Sequence, residues 1–241
     1  MSNLSLAFVA ASFAVAGAAF AAVPLTGSYS QSFDSMGPNG TRAPGDWTAG
    51  TIVGSRVADG GGAIISRALV VDNGGIDTVG QSFNYGNTGD SDRAIGAMGT
   101  TNDGASGIHG GDRAVQVALI NDTETPITAL DLSFAGEQWR INQGTAETKP
   151  EKIRVFYSTS PNSGWHTLGD RFSFAAKDAP AKTAVDGNLD ENRRVISGTY
   201  HLPTPVAAGG AFYIRWLDWN ENSTADHGLA VDDVSISIHA P

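Results

Sequence analysis

Short runs of alternating hydrophobic and polar residues follow one another along the chain from Ser28 onward, separated by clusters of Gly, Asn and Asp. An alternation with a period of two is typical of β-strands that bury one face. About ten strands are predicted, at a spacing typical of a sandwich or barrel. They are Tyr29–Phe33, Ile64–Val71, Gln81–Tyr85, Arg93–Met98, Ala114–Ile120, Ile127–Phe134, Lys152–Ser158, Arg194–Tyr200, Phe212–Trp219 and Leu229–Ile238.

No segment keeps a helical period, and at most one short helical turn is expected, at Phe172–Lys177. The pattern therefore predicts an all-β fold, a two-sheet antiparallel β-sandwich of the jelly-roll type, as one domain over residues 25–240. Its core is predicted to contain one apolar stripe per strand. Four such stripes are Val115, Val117 and Leu119; Leu130, Leu132 and Phe134; Ile153, Val155 and Tyr157; and Phe212, Ile214 and Trp216.

The N-terminal segment is predicted to be a signal peptide spanning residues 1–21. Leu6 to Val23 is apolar and uncharged, and Ala19-Phe20-Ala21 supplies the small residues that a signal peptidase reads. A transmembrane anchor is the alternative, but the run is rich in Ala and slightly short of about 20 residues. We expect a protein that is secreted or exposed at the cell surface, with no membrane span after the leader is cleaved.

Charge and cysteine content narrow the possible functions. The chain has 25 acidic and 15 basic residues, a net charge of −10, which argues against a nucleic-acid partner because phosphates would be repelled. The acidic excess is compatible with calcium binding or with simple solubility. The chain has no cysteine, so disulfides, thiolate catalysis and cysteine-based zinc sites are excluded.

One acidic residue of the last predicted strand is expected to point inward. Stepping back by two from the apolar position Val234 places Asp232 on the core-facing stripe. A buried carboxylate is costly unless it is neutralised or hydrogen-bonded. It would bind a cation such as Ca²⁺ with Asp34 as partner, pair with Arg140 or Arg215, or accept backbone N–H groups. The loops Asp90-Ser91-Asp92 and Asp218 to Asp226, with Glu221, are weaker calcium candidates.

A ligand platform is predicted on the faces that alternate with the core stripes. Tyr213, Arg215 and Trp219 share one such face, and Glu137 and Trp139 share another. Aromatic rings beside charged hydrogen-bonding groups are typical of sugar recognition. The alternative is that these side chains cover the edge of the core or lie buried under loops.

An enzymatic interpretation has less support. Tyr213 as base and Arg215 as charge stabiliser, with His227 approaching from the following loop, would suit a polysaccharide lyase. No Gly-x-Ser-x-Gly elbow and no Glu-x-Asp-x-x-Glu pattern occurs, so a serine hydrolase or a concanavalin-like glycosidase is not indicated.

The motifs at both ends of the chain resemble those of a jelly-roll module found in exported bacterial proteins that carry PEP-CTERM sorting tails. They are Gln31 to Gly37 with Gly45-Asp46-Trp47, Ser91 to Gly96, Gly136 to Arg140, Arg215 to Asp218 and His227 to Val234. The closing Ala230 to Val234 is also similar to the end of MAM domains and calcium-containing carbohydrate-binding modules. That resemblance implies a structural calcium ligand at Asp232 and, more loosely, at Asp34. The sorting tail itself does not occur in this sequence.

The sequence thus favours a non-catalytic module with a structural calcium that binds a polysaccharide or cell-surface glycan. A polysaccharide-active enzyme on the same fold, and a structural matrix or surface protein that self-associates, remain alternatives.

Overall fold

The structure is a computed structural model that describes residues 22–53, 60–99, 112–142, 151–179, 181–219 and 226–239. The predicted leader lies outside the described residues. Within the described part, no helix is both long enough and apolar enough to cross a membrane.

The first sheet has eight strands among the described residues, in the main order β11-β10-β15-β8-β3-β4. β1 pairs in parallel with β8, and β12 pairs with β10. These strands are β1 (Val23–Leu25), β3 (Trp47–Ile52), β4 (Ile64–Ser66), β8 (Arg113–Asn121), β10 (Lys152–Ser158), β11 (His166–Thr167), β12 (Phe174–Ala175) and β15 (Ala211–Trp219).

The second sheet also has eight strands among the described residues, in the main order β13-β9-β16-β7-β6-β5. β14 pairs with β9, and β2 pairs with β16. These strands are β2 (Ser28–Gln31), β5 (Val70–Asp72), β6 (Gln81–Tyr85), β7 (Ala94–Met98), β9 (Ile127–Ile141), β13 (Thr183–Ala184), β14 (Arg193–Val206) and β16 (Gly228–Ile238).

The longer strands alternate between the two sheets along the chain. β7, β9, β14 and β16 belong to the second sheet, and β8, β10 and β15, which lie between them in sequence, belong to the first. Nearly all pairs are antiparallel, and the exceptions are the short pairs β1–β8 and β5–β6. This alternation is that of a jelly roll, so the predicted fold class is confirmed.

The core between the sheets contains the four predicted stripes. All twelve of their residues are buried in one hydrophobic cluster. The ring centroid of Trp216 lies 5.2 Å from that of Trp47 and 5.8 Å from that of Phe134, so residues from both sheets meet at this indole. The period-two pattern therefore predicted the inner faces correctly, because large apolar residues recur at every second position of these strands.

Both sheets also carry a smaller buried cluster on the outer face. On the second sheet it contains Phe83, Tyr85, Ala94, Met98, Trp139 and Ala230. On the first sheet it contains Ile52, Ala114, Phe156, Trp165 and Leu217. Loops cover these side chains, so much of the outer surface that the pattern predicted to be exposed is buried.

Several elements differ from the prediction. β3, Trp47–Ile52, was not predicted, because all six of its residues are buried and no polar face alternates with the apolar one. β9 continues beyond Phe134 to Ile141. The expected turn at Phe172–Lys177 is a 3-10 helix at Asp170–Phe172 followed by β12.

A β-bulge in β16 reverses the predicted orientation of Asp232. Asp233 has a φ of 47°, and the pairing of β16 with β9 shifts register between Asp232 and Ser235. Val234 and Ile236 face the core, as predicted, but so does Val231 on the other side of the bulge. Asp232 follows Ala230 on the outer face of the second sheet, so the prediction that it shares the core-facing stripe is wrong. The extra residue of the bulge breaks the period of two.

Candidate functional site

Asp232 is buried in spite of facing outward. It is 3% exposed, and its Oδ1 has no hydrogen-bond partner in the described part of the chain. The backbone N–H of Asp233 donates to the carboxylate. Burial, with Glu137, Asp233 and Asp92 nearby, raises the pKa of Asp232 to about 9. The carboxylate therefore lies in negative surroundings that favour either a proton or a bound cation.

The acidic residues around Asp232 come from separate segments. Glu137 lies on β9, opposite Ala230 in the register, and Asp92 precedes β7. Burial, followed by Asp34, Asp233 and Asp90, raises the pKa of Asp92. We name Asp34, Asp92, Asp232, Asp233 and Glu137 the Asp232 cluster. Asp92 belongs to a loop that the sequence indicated only as a weaker calcium candidate. Its carboxylate interacts electrostatically with both predicted calcium ligands, Asp34 and Asp232.

Asp34 itself is exposed and takes part in local hydrogen bonds. Its Oδ1 accepts the backbone N–H of Arg93 at 3.1 Å, and its Oδ2 accepts the Ser32 hydroxyl at 3.0 Å. These bonds hold the segment before β7 against the 3-10 helix at Asp34–Met36. Asp34 is thus coupled to Asp232 through Asp92, which interacts electrostatically with both.

Arg193 bonds directly to two members of the Asp232 cluster. The Nε of Arg193 donates to Glu137 Oε1 at 3.1 Å, and its Nη2 donates to Asp233 Oδ2 at 2.5 Å. The two arginines proposed as partners of Asp232 bind elsewhere: Arg140 donates to the carbonyl of Gly74 at 2.9 Å. The expectation that Arg140 or Arg215 neutralises Asp232 is therefore wrong.

The chemistry of the Asp232 cluster suits a hard cation, although a complete ligand shell is not assembled. Carboxylate oxygens are the donors that Ca²⁺ prefers, and the unpartnered Oδ1 of Asp232 supplies a buried one. Among the described residues, no group of three or more His, Cys, Asp or Glu side chains is arranged to hold a metal ion. Backbone carbonyls and water would have to complete the shell.

Glu137 and Trp139 do not form an open ligand platform. Both are fully buried, and Trp139 Nε1 donates to Glu137 Oε2 at 3.0 Å. Trp139 stacks on Tyr85, with ring centroids 5.8 Å apart, and the backbone N–H of Val185 donates to its carbonyl. Gly187 lies against the indole edge. Both side chains therefore lie buried under loops, which was the alternative to a ligand platform.

Arg215 is likewise enclosed on the outer face of the first sheet. Its Nη1 donates to the carbonyls of Gly60 and Gly62 at 2.6 and 2.9 Å, and its Nη2 donates to Pro161 O at 3.1 Å. Gln116 Oε1 accepts from both Nε and Nη2. Burial lowers the pKa of Arg215 to about 9, which leaves it charged at neutral pH. Its fork of donors therefore holds loops together rather than facing a ligand.

The residues proposed for a lyase are not brought together. Tyr213 is half-buried beside Arg215 on the first sheet, pairing in register with Ser158 and Ala118. His227 is buried next to the second sheet, where its Nδ1 lies 3.3 Å from Gln138 Nε2. Trp219 ends β15, and its side chain lies outside the described part. The binding roles of Tyr213 and Trp219 stay predictions.

An open cleft lies at the edge of the second sheet, beside β5 and β6. We name it the polar cleft; its volume is about 400 Å³. Its lining residues are Pro38, Asn39, Val71, Asp72, Asn73, Gly86, Asn87, Thr88, Gly89 and Arg93. β5 and β6 pair in parallel, with Asp72 opposite Tyr85. The loops that follow the two strands therefore leave the sheet at the same end of the strands.

The polar side chains of the cleft are held in place. The Asp72 carboxylate accepts the N–H groups of Gly74 and Ile76 at 3.1 Å, and burial raises its pKa. Asn73 Nδ2 donates to Thr88 Oγ1 at 3.3 Å across the cleft. Sequence reasoning assigned both segments to simple turns. Their Asn and Asp content was visible, but the parallel pairing that brings them together was not.

A second, shallower groove lies on the outer face of the second sheet. Its volume is about 190 Å³, and Asp131, Leu132, Ser133, Ser197, Gly198, Thr199, Ser235 and Ser237 line it. Asp131 accepts the Thr199 hydroxyl at 2.6 Å and lies 2.9 Å from His239 Nδ1. We name this feature the serine groove.

Comparison with known proteins gives distant similarities only. No protein-family model and no curated protein matches the chain. The K1 cleaved adhesin domain of Lys-gingipain from Porphyromonas gingivalis W83 is 14% identical, with 88% of this chain and 99% of that chain covered and a TM-score of 0.42. The xylan-binding domain from CBM 22 is 12% identical, with 88% and 96% covered and a TM-score of 0.40. Similarities this distant carry no information about a ligand, so the chemistry of this chain follows from its own residues.

Proposed function

We propose that the chain is a non-catalytic, exported β-sandwich module that binds a glycan in the polar cleft. The observation that carries this proposal is the cleft itself. Its volume of about 400 Å³ lies within the range of small-molecule sites, which is roughly 300–1,000 Å³. An oligosaccharide segment presents hydroxyl groups, and the side chains of Asn39, Asn73, Asn87 and Thr88 bring amide and hydroxyl groups to the lining of the cleft.

The rigidity of the cleft supports binding. The hydrogen bonds of Asp72 and the bond between Asn73 and Thr88 fix the lining groups before a ligand arrives. Asn87 is also fixed, because its Nδ2 donates to Asp186 Oδ2 at 3.0 Å. Preorganised groups lose little conformational entropy on binding. No aromatic ring is among the lining residues, so hydrogen bonds rather than ring stacking would dominate recognition.

The same lining favours binding over hydrolysis. Asp72 is the one carboxylate among the lining residues. Most glycosidases act through two carboxyl groups that flank the scissile bond. A single carboxylate that is already bound to two backbone N–H groups suits recognition of hydroxyls.

We also propose that one calcium ion stabilises the fold at the Asp232 cluster. Asp232 and Asp92 would be its ligands, and Asp34 would contribute from the edge of the cluster. The proposal is supported by the buried, unpartnered Oδ1 of Asp232 and by the excess of carboxylates over arginines around it. Bound calcium would replace the proton that burial otherwise favours.

A glycan array tests the binding proposal. We expect the wild-type chain to bind a subset of neutral or acidic polysaccharides, and Asn73→Ala and Thr88→Val to weaken that binding at least about tenfold, roughly 1.4 kcal/mol. Ser197→Ala and Ser235→Ala in the serine groove are matched controls that should keep wild-type affinity. Loss of binding in the groove variants alone would move the site there, and no binding to any glycan would refute the proposal.

Metal analysis tests the calcium proposal. We expect about one Ca²⁺ equivalent to depend on Asp232, and EDTA to lower the melting temperature. Asp232→Asn should abolish both effects, whereas Asp233→Asn, at the exposed neighbour, should keep them. An unchanged melting temperature in EDTA, with no metal in the purified chain, would contradict the proposal.

A further inference from the structure

A second group of acidic residues meets at one end of the sandwich, away from the Asp232 cluster. Glu151 immediately precedes β10, and Asp218 lies next to last in β15. The register places Asp218 opposite Ile153 on one side and Arg113 on the other. Asp112, before β8, and Asp226, before β16, complete the group.

Glu151 and Asp218 are buried, and their oxygens lack donors. Glu151 is 2% exposed and Asp218 is 4% exposed. Glu151 Oε2 accepts the backbone N–H of His227 at 2.6 Å, and apart from the contact between the two carboxyl groups, Glu151 Oε1 and both Asp218 oxygens have no donor among the described residues. Buried carboxylate oxygens without donors are costly, so the site calls for a positive partner.

The charges that act on these two carboxyl groups are mostly negative. Burial and the neighbouring Asp218 raise the pKa of Glu151 well above its usual range. Burial raises the pKa of Asp218 to about 7; a hydrogen bond with Glu151 and the charge of Arg113 oppose the rise, and Asp226 and Asp112 add to it. Arg113 also donates to the carbonyl of Gly80. Arg113 is therefore shared between Asp218, Asp112 and a backbone carbonyl.

Asp218 adjoins a small, partly open cavity between the sheets. The volume of this cavity is about 10 Å³, close to the space needed for one water molecule. Asp218, Trp216 and Arg113 are among the residues that line it. The indole Nε1 of Trp216 has no acceptor among the described residues, so a water here would have polar neighbours.

We propose that Glu151 and Asp218 jointly bind a hard divalent cation, at a site separate from the Asp232 cluster. Two carboxylates supply direct ligands, water in the adjoining cavity supplies a third, and Asp112 and Asp226 add negative potential. Ca²⁺ and Mg²⁺ both take oxygen ligands of this kind, and Mg²⁺ commonly keeps several waters beside one or two carboxylates. The ion would cross-link the start of β10 to the end of β15.

Cation binding to the metal-stripped full chain tests the proposal. Ca²⁺ alone and Mg²⁺ alone are titrated by calorimetry into the wild type, Glu151→Gln and Asp218→Asn. We expect each variant to bind one equivalent fewer than the wild type. Asp170→Asn is the matched control, because Asp170 is an exposed acid bonded to Lys152, the residue after Glu151, and it should bind as the wild type does.

Asp232→Asn separates this site from the calcium proposal and keeps the test valid where Asp218→Asn fails to fold. If both sites exist, Asp232→Asn retains one equivalent. If only the Glu151–Asp218 site exists, Asp232→Asn binds as the wild type does, and the proposed calcium at Asp232 fails alone. The inference is overturned if Glu151→Gln and Asp218→Asn bind wild-type amounts, or if Asp232→Asn binds no cation.

Discussion

The guanidinium carbon of Arg215 lies 3.8 Å from the centroid of the Trp165 ring. The guanidinium of Arg215 therefore packs against the indole. The carbonyls of Gly60, Gly62 and Pro161 accept its N–H groups. Such a contact is worth about 2 kcal/mol or more when the cation is desolvated. Arg215 is a structural link between the first sheet and two surface segments.

We expect Arg215→Met to lower the free energy of unfolding by about 3 kcal/mol or more, because it leaves buried carbonyls without donors. Arg215→Lys should recover only part of the loss, since an ammonium lacks the planar fork. Urea denaturation measures both. Arg42→Met, at an exposed position, is the control and should stay within about 0.5 kcal/mol of the wild type. A near-neutral Arg215→Met would contradict this role.

Stability should depend on pH in a direction set by the Asp232 cluster. Burial raises the pKa of Glu137 to about 7 and that of Asp232 to about 9. Unfolded carboxyl groups titrate near about 4, so the folded chain binds more protons between about pH 4 and 9. The free energy of unfolding in EDTA should therefore be highest at the acid end of this range and fall as pH rises through about 7 and then 9.

Denaturation curves at several pH values in EDTA check this dependence. Asp232→Asn should show a shallower decline, and saturating Ca²⁺ should flatten the wild-type curve because the metal replaces the proton. A wild-type chain whose stability rises with pH more steeply than that of Asp232→Asn would show that the carboxylate is not held in negative surroundings.

Gly187 is predicted to be intolerant of any side chain. A Cβ added there would lie 2.3 Å from Trp139 Nε1, and the indole is fully buried. We expect Gly187→Ala to cost about 1–3 kcal/mol through overpacking. Gly45→Ala is the matched control, because an added Cβ would meet nothing within 4 Å. Thermal unfolding compares the two, and equal melting temperatures would mean that the covering loop is not seated on Trp139.

The bulge at Asp233 gives a backbone prediction. A β-branched residue is strained at a positive φ, whereas Asp and Asn tolerate that region. We expect Asp233→Val to cost about 1–3 kcal/mol. Ser235→Val, two residues further along the same strand and also exposed, should be close to neutral. Chemical denaturation would contradict the bulge if both variants were equally stable.

The inner faces were predictable because large apolar residues recur at every second position of the strands that contain Val117, Leu132, Val155 and Ile214. The pattern failed for outer faces that are also buried and where a strand changes its period. Trp139 and Arg215 lie on outer faces that loops cover. The loop sequences have no periodic pattern from which this cover could be predicted. Asp232 was misplaced because one residue at a positive φ reverses the alternation.

The candidate sites were less predictable than the core. Asn73 and Thr88 belong to turns whose composition is visible, but their proximity depends on a short parallel pairing of β5 with β6. Glu151 is 67 positions before Asp218, and only the register of β10 with β15 brings their strand ends together. Long-range pairing of this kind is not encoded in any local pattern.

The position of β16 constrains when the molecule can finish folding. This strand, the last of the described strands, pairs with β9, β7 and β2, which lie earlier in the sequence. A nascent chain therefore cannot complete the second sheet until β16 has left the ribosome. Until then, β9 and β7 lack the neighbour that separates them, so any truncation that removes β16 leaves two open strand edges prone to intermolecular pairing.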